Sequence, residues 1–96
     1  MKAQLQRAKA LMLLQQYNEG CDIYFSELKA FPTNICVNNN VAICYWKDGN
    51  LELARSHFLQ AINGTGFSLH PESPVLNLED LNSWNPSSGV QARLMW

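Results

Sequence analysis

A chain of 96 residues with 47% apolar side chains and a mean hydropathy of −0.19 has the material for one small packed domain and too much of it for a disordered tail. Seven basic residues against eight acidic ones leave a net charge of −1, which gives no field to recruit nucleic acid or an anionic membrane. No run reaches the roughly 18 apolar residues of a membrane span, and the opening Met1-Lys2-Ala3-Gln4-Leu5-Gln6-Arg7 is too polar for a secretory signal. A cytoplasmic protein with no membrane insertion is expected.

Between Ala3 and Gln15, the residues Leu5, Ala8, Leu11, Met12 and Leu14 recur at three- and four-residue steps, the period of a helix with one buried face. Gln15-Gln16-Tyr17-Asn18 forms a polar break. The helical period resumes with Gly20, Ile23, Tyr24, Leu28 and Phe31, and Pro32 ends it because proline lacks an amide proton and restricts the residue before it. Ile35, Val37, Val41, Ala42, Cys44 and Tyr45 predict a third helix, stopped by Lys47-Asp48-Gly49-Asn50. Asn50 suits the N-cap of a fourth helix with Leu51, Ala54, Phe58, Leu59 and Ile62 inside, and Gly64 is expected to close that helix in the left-handed conformation. Asn63-Gly64-Thr65 fits a glycosylation sequon but is read as a turn, since nothing argues for entry to the secretory lumen.

Phase is lost in the connector Phe67–Glu72. Ser73 then fits an N-cap and Pro74 a first helical residue, with Val75, Leu78 and Leu81 on one side of a fifth helix spanning 74–84. Asn85 to Gly89 breaks it, and the seven residues from Val90 to Trp96 are too few to carry a period. The expected fold is all-α: antiparallel helix-turn-helix repeats forming a short α-solenoid, with hairpins 1–34 and 35–68, then a connector, a partial third repeat and an irregular tail over 69–96.

A 34-residue shift relates the two hairpins. It places Ala8 on Ala42, Leu11 on Tyr45, Met12 on Trp46, Tyr17 on Leu51, Gly20 on Ala54, Tyr24 on Phe58 and Leu28 on Ile62. Only the alanine pair is identical, so the relation lies in side-chain class at fixed spacing. On these residues the chain resembles the tetratricopeptide repeat family. The second unit matches through Ala42, Tyr45, Gly49, Ala54, Phe58 and Ala61. The first matches through Ala8, Leu11, Tyr17, Gly20, Tyr24, Leu28 and Pro32 but departs at Gln4, at Gln15, where the turn glycine is expected, and at Glu27. Small residues at helix crossings let backbones approach, so large side chains at Gly20 or Ala54 should not fit. A narrower resemblance, carried by Asn38 to Tyr45, Leu69-His70, Glu72-Ser73 and Asn77-Leu78, is to the closing repeats of the subunit-12 family of the trafficking protein particle complex. It implies a place in a vesicle-tethering assembly between endoplasmic reticulum and Golgi.

Catalytic chemistry has little to stand on. His57 adjoins the core residue Phe58 and reads as a partly exposed helix histidine, while His70 precedes Pro71 in a connector. Cys36 and Cys44, eight apart on one helix and so about 12 Å apart along its axis, cannot share an ion. With Cys21 they make an odd set without CxxC pairing, read as buried reduced thiols. Glu72, Glu79 and Asp80 read as a solvated face, and no phosphate-cradling glycine loop exists. No enzyme activity, cofactor or metal is expected.

Asn38-Asn39-Asn40 is unusual inside a helix, because asparagine competes for backbone hydrogen bonds. It either starts and solvates the helix or serves binding. The family resemblance implies that the first helix of each unit lines a concave surface that holds an extended peptide. By that carry-over Lys2, Leu5, Lys9, Asn39, Asn40 and Ile43 face the groove, with Trp46 near its edge. The carboxylate clamp of the family's chaperone-binding members is not kept: Asn40 matches one position, but Leu5 and Lys9 replace a lysine and an asparagine. The expected function is a non-catalytic protein-interaction scaffold. Its rivals are a cap or fragment completing a larger solenoid, and a small helical enzyme or regulatory domain. Two units and a partial third seldom make a self-sufficient core, so pairing with further repeats or another chain, homo- or hetero-oligomeric, is expected.

Overall fold

The 34-residue relation reappears bond for bond in the backbone of two turns. In the first, Leu14 N–H donates to Ala10 O, Gln15 N–H to Met12 O and Gln16 N–H to Leu11 O. In the second, Asp48 N–H donates to Cys44 O, Gly49 N–H to Trp46 O and Asn50 N–H to Tyr45 O. These bonds use carbonyls that a helix end leaves orphaned, and they require a left-handed residue just past the helix. Gly49 supplies it at φ 85°, and in the first turn Gln15 takes the same role at φ 63°. The missing glycine noted in the sequence therefore did not change the turn.

The computed structural model describes residues 2–64, 72–85, 87 and 89–95, the side chains of residues 2 and 3 excepted. Five helices occupy them: α1 Lys2–Leu13, α2 Tyr17–Ala30, α3 Ile35–Lys47, α4 Leu51–Ile62 and α5 Glu72–Asn82. The polar break is shorter than its composition suggested, since Tyr17 and Asn18 already belong to α2. The fifth helix begins at Glu72 rather than at Pro74 and ends at Asn82. Most of the connector Phe67–Glu72, His70, Thr65 of the sequon and Trp96 lie outside the described residues. Helices α1 with α2 and α3 with α4 form antiparallel hairpins, α2 packs on α3, and α5 packs on α4 and touches α3. The shortest dimension of the molecule, 19 Å, is that of two helix layers about 10 Å apart. All-α helical repeats are thus the architecture, and none of the described helices is long and apolar enough to cross a membrane.

Caps explain several of the boundaries. Asn50 accepts from Leu53 N–H at 3.3 Å, as its N-cap position required, and Asn34 does the same for Val37 N–H at 3.1 Å. Helix α2 stops at Ala30, where Phe31 N–H still reaches Glu27 O ahead of Pro32. Gly64 corrects the sequence reading. It is not left-handed; instead a Cβ there would lie 2.6 Å from Thr33 O, so glycine is needed for close approach and not for φ.

Small residues sit at the crossings. A Cβ on Gly20 would stand 3.1 Å from Ala8 O and 3.0 Å from Met12 Sδ, and Ala8, Ala42 and Ala54 are wholly buried. Tyr24 and Phe58, equivalent under the shift, fill the spaces between helices with no exposed surface. Helix α3 is the centre of the core, with every residue from Ile35 to Cys44 buried.

One sequence expectation is overturned here. Cys21 of α2 and Cys44 of α3 are joined as a disulfide, with Cα atoms 5.9 Å apart, rather than standing as separate thiols. Nothing in a 23-residue separation announces the pairing; the packing of α2 on α3 creates it. Cys36 is buried, and desolvation pushes its thiol up to about 11, which keeps it protonated and unreactive.

Candidate functional site

Asn38, Asn39 and Asn40 are the fourth to sixth residues of α3, and all three have 0% exposure. They do not solvate the helix. A buried primary amide without partners costs about 1–3 kcal/mol, so each must find them.

Asn38 finds its partners within the fold. Its Nδ2 donates to Pro32 O at 2.9 Å and to Asn34 O at 3.0 Å, which uses both amide protons. Its Oδ1 must then accept, and His57 Nδ1 lies 3.0 Å away. His57 therefore carries its proton on Nδ1. The imidazole also stacks on Tyr45 at 5.4 Å, and burial lowers its pKa from 6.5. This histidine braces α4 against α3.

Asn39 and Asn40 turn the other way and meet Asn77, the sixth residue of α5 as Asn40 is of α3. Asn77 Nδ2 donates to Asn39 Oδ1 at 2.9 Å, and Asn39 Nδ2 donates to Asn40 Oδ1 at 3.1 Å. What remains of their hydrogen-bonding capacity is spent on the backbone of an extended segment, Val90 to Met95. Asn77 takes both main-chain groups of Arg93: its Oδ1 accepts from Arg93 N–H and its Nδ2 donates to Arg93 O, each at 3.0 Å. Asn40 does the same to Met95, accepting from Met95 N–H at 2.8 Å and donating to Met95 O. Asn39 adds a second donor to Arg93 O at 2.8 Å.

The register follows from strand geometry. In an extended chain the N–H and C=O of one residue point to the same side, and alternate residues share that side. Residues 93 and 95 present their main chain to the asparagines. Val90, Ala92 and Leu94 are half-buried and line a crevice of about 130 Å³ with Met12, Leu13 and Ile43, whereas Gln91 and Arg93 are exposed. The Arg93 guanidinium reaches Asp80 at 2.9 Å, but both side chains are about half exposed and the pair contributes little.

Of the residues placed at the groove from the sequence, Asn39 and Asn40 bind the extended backbone, and Ile43 lines the crevice. Lys9 is half-buried on α1. Leu5, at 1% exposure, belongs to the core. Trp46 is buried, with 1% exposed, its ring edge-on against Phe58 at 6.1 Å and Trp84 at 6.0 Å, and it lines a pocket with Gly89 and Gln91 where the bound segment begins. The side chain of Lys2 lies outside the described residues. Sequence reasoning missed Asn77. Its signal was an asparagine between Leu76 and Leu78, at the same place in its helix as Asn40. The binding segment was missed too, although Val90, Ala92 and Leu94 alternate with the polar Gln91 and Arg93 in the two-residue period of a strand.

No family model, no curated protein and no solved structure matches the chain.

Proposed function

We propose that this chain is a tetratricopeptide-type protein-interaction scaffold, without catalysis, that holds an extended segment of a partner protein along the concave surface of α3 and α5. One observation carries the reading: Asn40 and Asn77 each take the N–H and the C=O of a single residue, two positions apart on an extended chain. Such contacts recognise main chain and leave the side chains of the bound segment free to set specificity. The 34-residue relation and its repeated turn bonds support the repeat type. The narrower resemblance would make the partner a component of a vesicle-tethering assembly.

In this chain the three buried amides hold its own residues 93 and 95, and the interaction reading takes that segment as standing where a partner's would lie. An array of immobilised random octapeptides probed with the full chain tests it. Binding to a subset of peptides, lost in the Asn40→Ala and Asn77→Ala double variant and kept in His57→Gln, is the expected outcome. Identical patterns for the native chain and the double variant would refute the reading.

A further inference from the structure

The asparagines grip main chain, so they cannot by themselves tell one extended segment from another. Selection has to come from the side chains on the opposite side of the strand. In the occupied groove those are Val90, Ala92 and Leu94, which pack against the core and, with Met12, Leu13, Tyr17, Ile43 and Lys47, line the crevice. Small Ala92 stands between two larger apolar neighbours. Leu13 is 71% exposed, so apolar surface continues past the crevice and gives a longer ligand more to cover.

From this arrangement we infer that the groove selects extended segments of the order apolar-x-apolar-x-apolar, and that residues 90–95 are its resident occupant in cis, competing with a partner segment of the same order. The inference rests on the reading of the concave face as a peptide-binding surface and adds both a ligand class and a built-in competitor. The geometry supports competition rather than mere closure. Among the described residues the polar contacts that fix the segment go through its main chain, apart from the exposed Arg93 guanidinium, so a segment from another protein can reproduce them. The short connection from Asn82 to Val90 holds the cis segment at an effective concentration in the millimolar range. A partner peptide must displace it, and weakening the cis segment should expose the groove's intrinsic affinity.

The test uses the full chain and a fluorescein-labelled hexapeptide copying residues 90–95, followed by fluorescence anisotropy. Leu94→Lys places a second ammonium in the crevice that Ile43 and Lys47 line and should release the cis segment, so this variant should bind the peptide about tenfold or more tightly than the native chain. Adding Asn40→Ala to Leu94→Lys should abolish that binding, and a peptide with Ala92→Lys should lose it. Equal binding by the native chain and Leu94→Lys would overturn the competition, and an undiminished Ala92→Lys peptide would overturn the selectivity. Either could happen while the octapeptide array still depended on Asn40 and Asn77, so the two proposals fail separately. Hydrogen exchange on the native chain gives a readout that needs no variant to fold. The amides of Arg93 and Met95 should exchange slowly and that of Leu94 fast, whereas uniformly fast exchange across 90–95 would overturn occupancy.

Discussion

The first turn puts Gln15 at φ 63° where the second puts Gly49 at φ 85°, yet the same three backbone bonds close both. The hairpins differ again at the next helix start, where Asn50 caps α4 through its side chain and Gln16 makes no such bond for α2. They differ in the core as well. Phe58 is wholly apolar, while its counterpart Tyr24 buries a hydroxyl that has no hydrogen-bond partner, and desolvation raises that group's pKa well above its usual range. In each respect the local sequence favours the second hairpin and works against the first. The first adopts the same form because α2 lies against the largely buried α3, so tertiary packing imposes what local propensity does not supply.

The link between the two hairpins is the place to break this comparison most severely. Reducing the Cys21–Cys44 bond removes a cross-link over a 23-residue separation and should cost about 3 kcal/mol on the loop-closure scale, read as a lower melting temperature in dithiothreitol. Mass spectrometry after alkylation without reductant should find only Cys36 modified in the unfolded chain, and all three cysteines modified after reduction. Alkylating cell extract before lysis ends would also report the compartment, because a cytosolic chain would keep Cys21 and Cys44 as thiols.

Exchanging the turn residues sharpens the contrast on a smaller scale. Gly49→Ala forces a Cβ into the left-handed region and should destabilise by about 1 kcal/mol, whereas Gln15→Gly relieves that strain and should stabilise by up to about 1 kcal/mol in urea unfolding. If both substitutions destabilised equally, the turns would not differ as described. Tyr24→Phe removes the orphaned hydroxyl at nearly constant volume. It should raise stability by about 0.5–1 kcal/mol, making position 24 like its counterpart Phe58.

The smallest effect belongs to the second hairpin alone. His57 has a lower pKa folded than unfolded, so the unfolded chain binds the proton more readily. Stability from this site is complete above about pH 6.5 and declines as pH falls through the unfolded pKa toward the lower folded value. His57→Gln should flatten that part of a pH–stability profile.

Much of the helical layout was legible in advance. The apolar periods, Pro32, Gly49 and Asn50 mark helices and their ends through local chemistry, and the 34-residue relation pairs the hairpins before any contact is known. Asn39, Asn40 and Ile43 were placed at the groove through the family resemblance. How deeply Leu5 and Trp46 are buried was not legible, because periodicity names a face without saying how far neighbouring elements cover it. Asn77 stayed hidden because the connector shifts α5 out of the 34-residue phase: it follows Asn40 by 37 residues.

The sequence by itself determined the helices and the second hairpin's turn, which depend on residues a few positions apart, and the 34-residue repeat that relates the hairpins. Tertiary structure alone decided three things: that Cys21 meets Cys44, that Asn77 joins Asn39 and Asn40, and that Val90 to Met95 lies across them. Those contacts join residues 16 to 55 positions apart. No local pattern encodes such a pairing. It is selected only once helices pack, buried amides lose water, and the nearest backbone able to satisfy them is the chain's own.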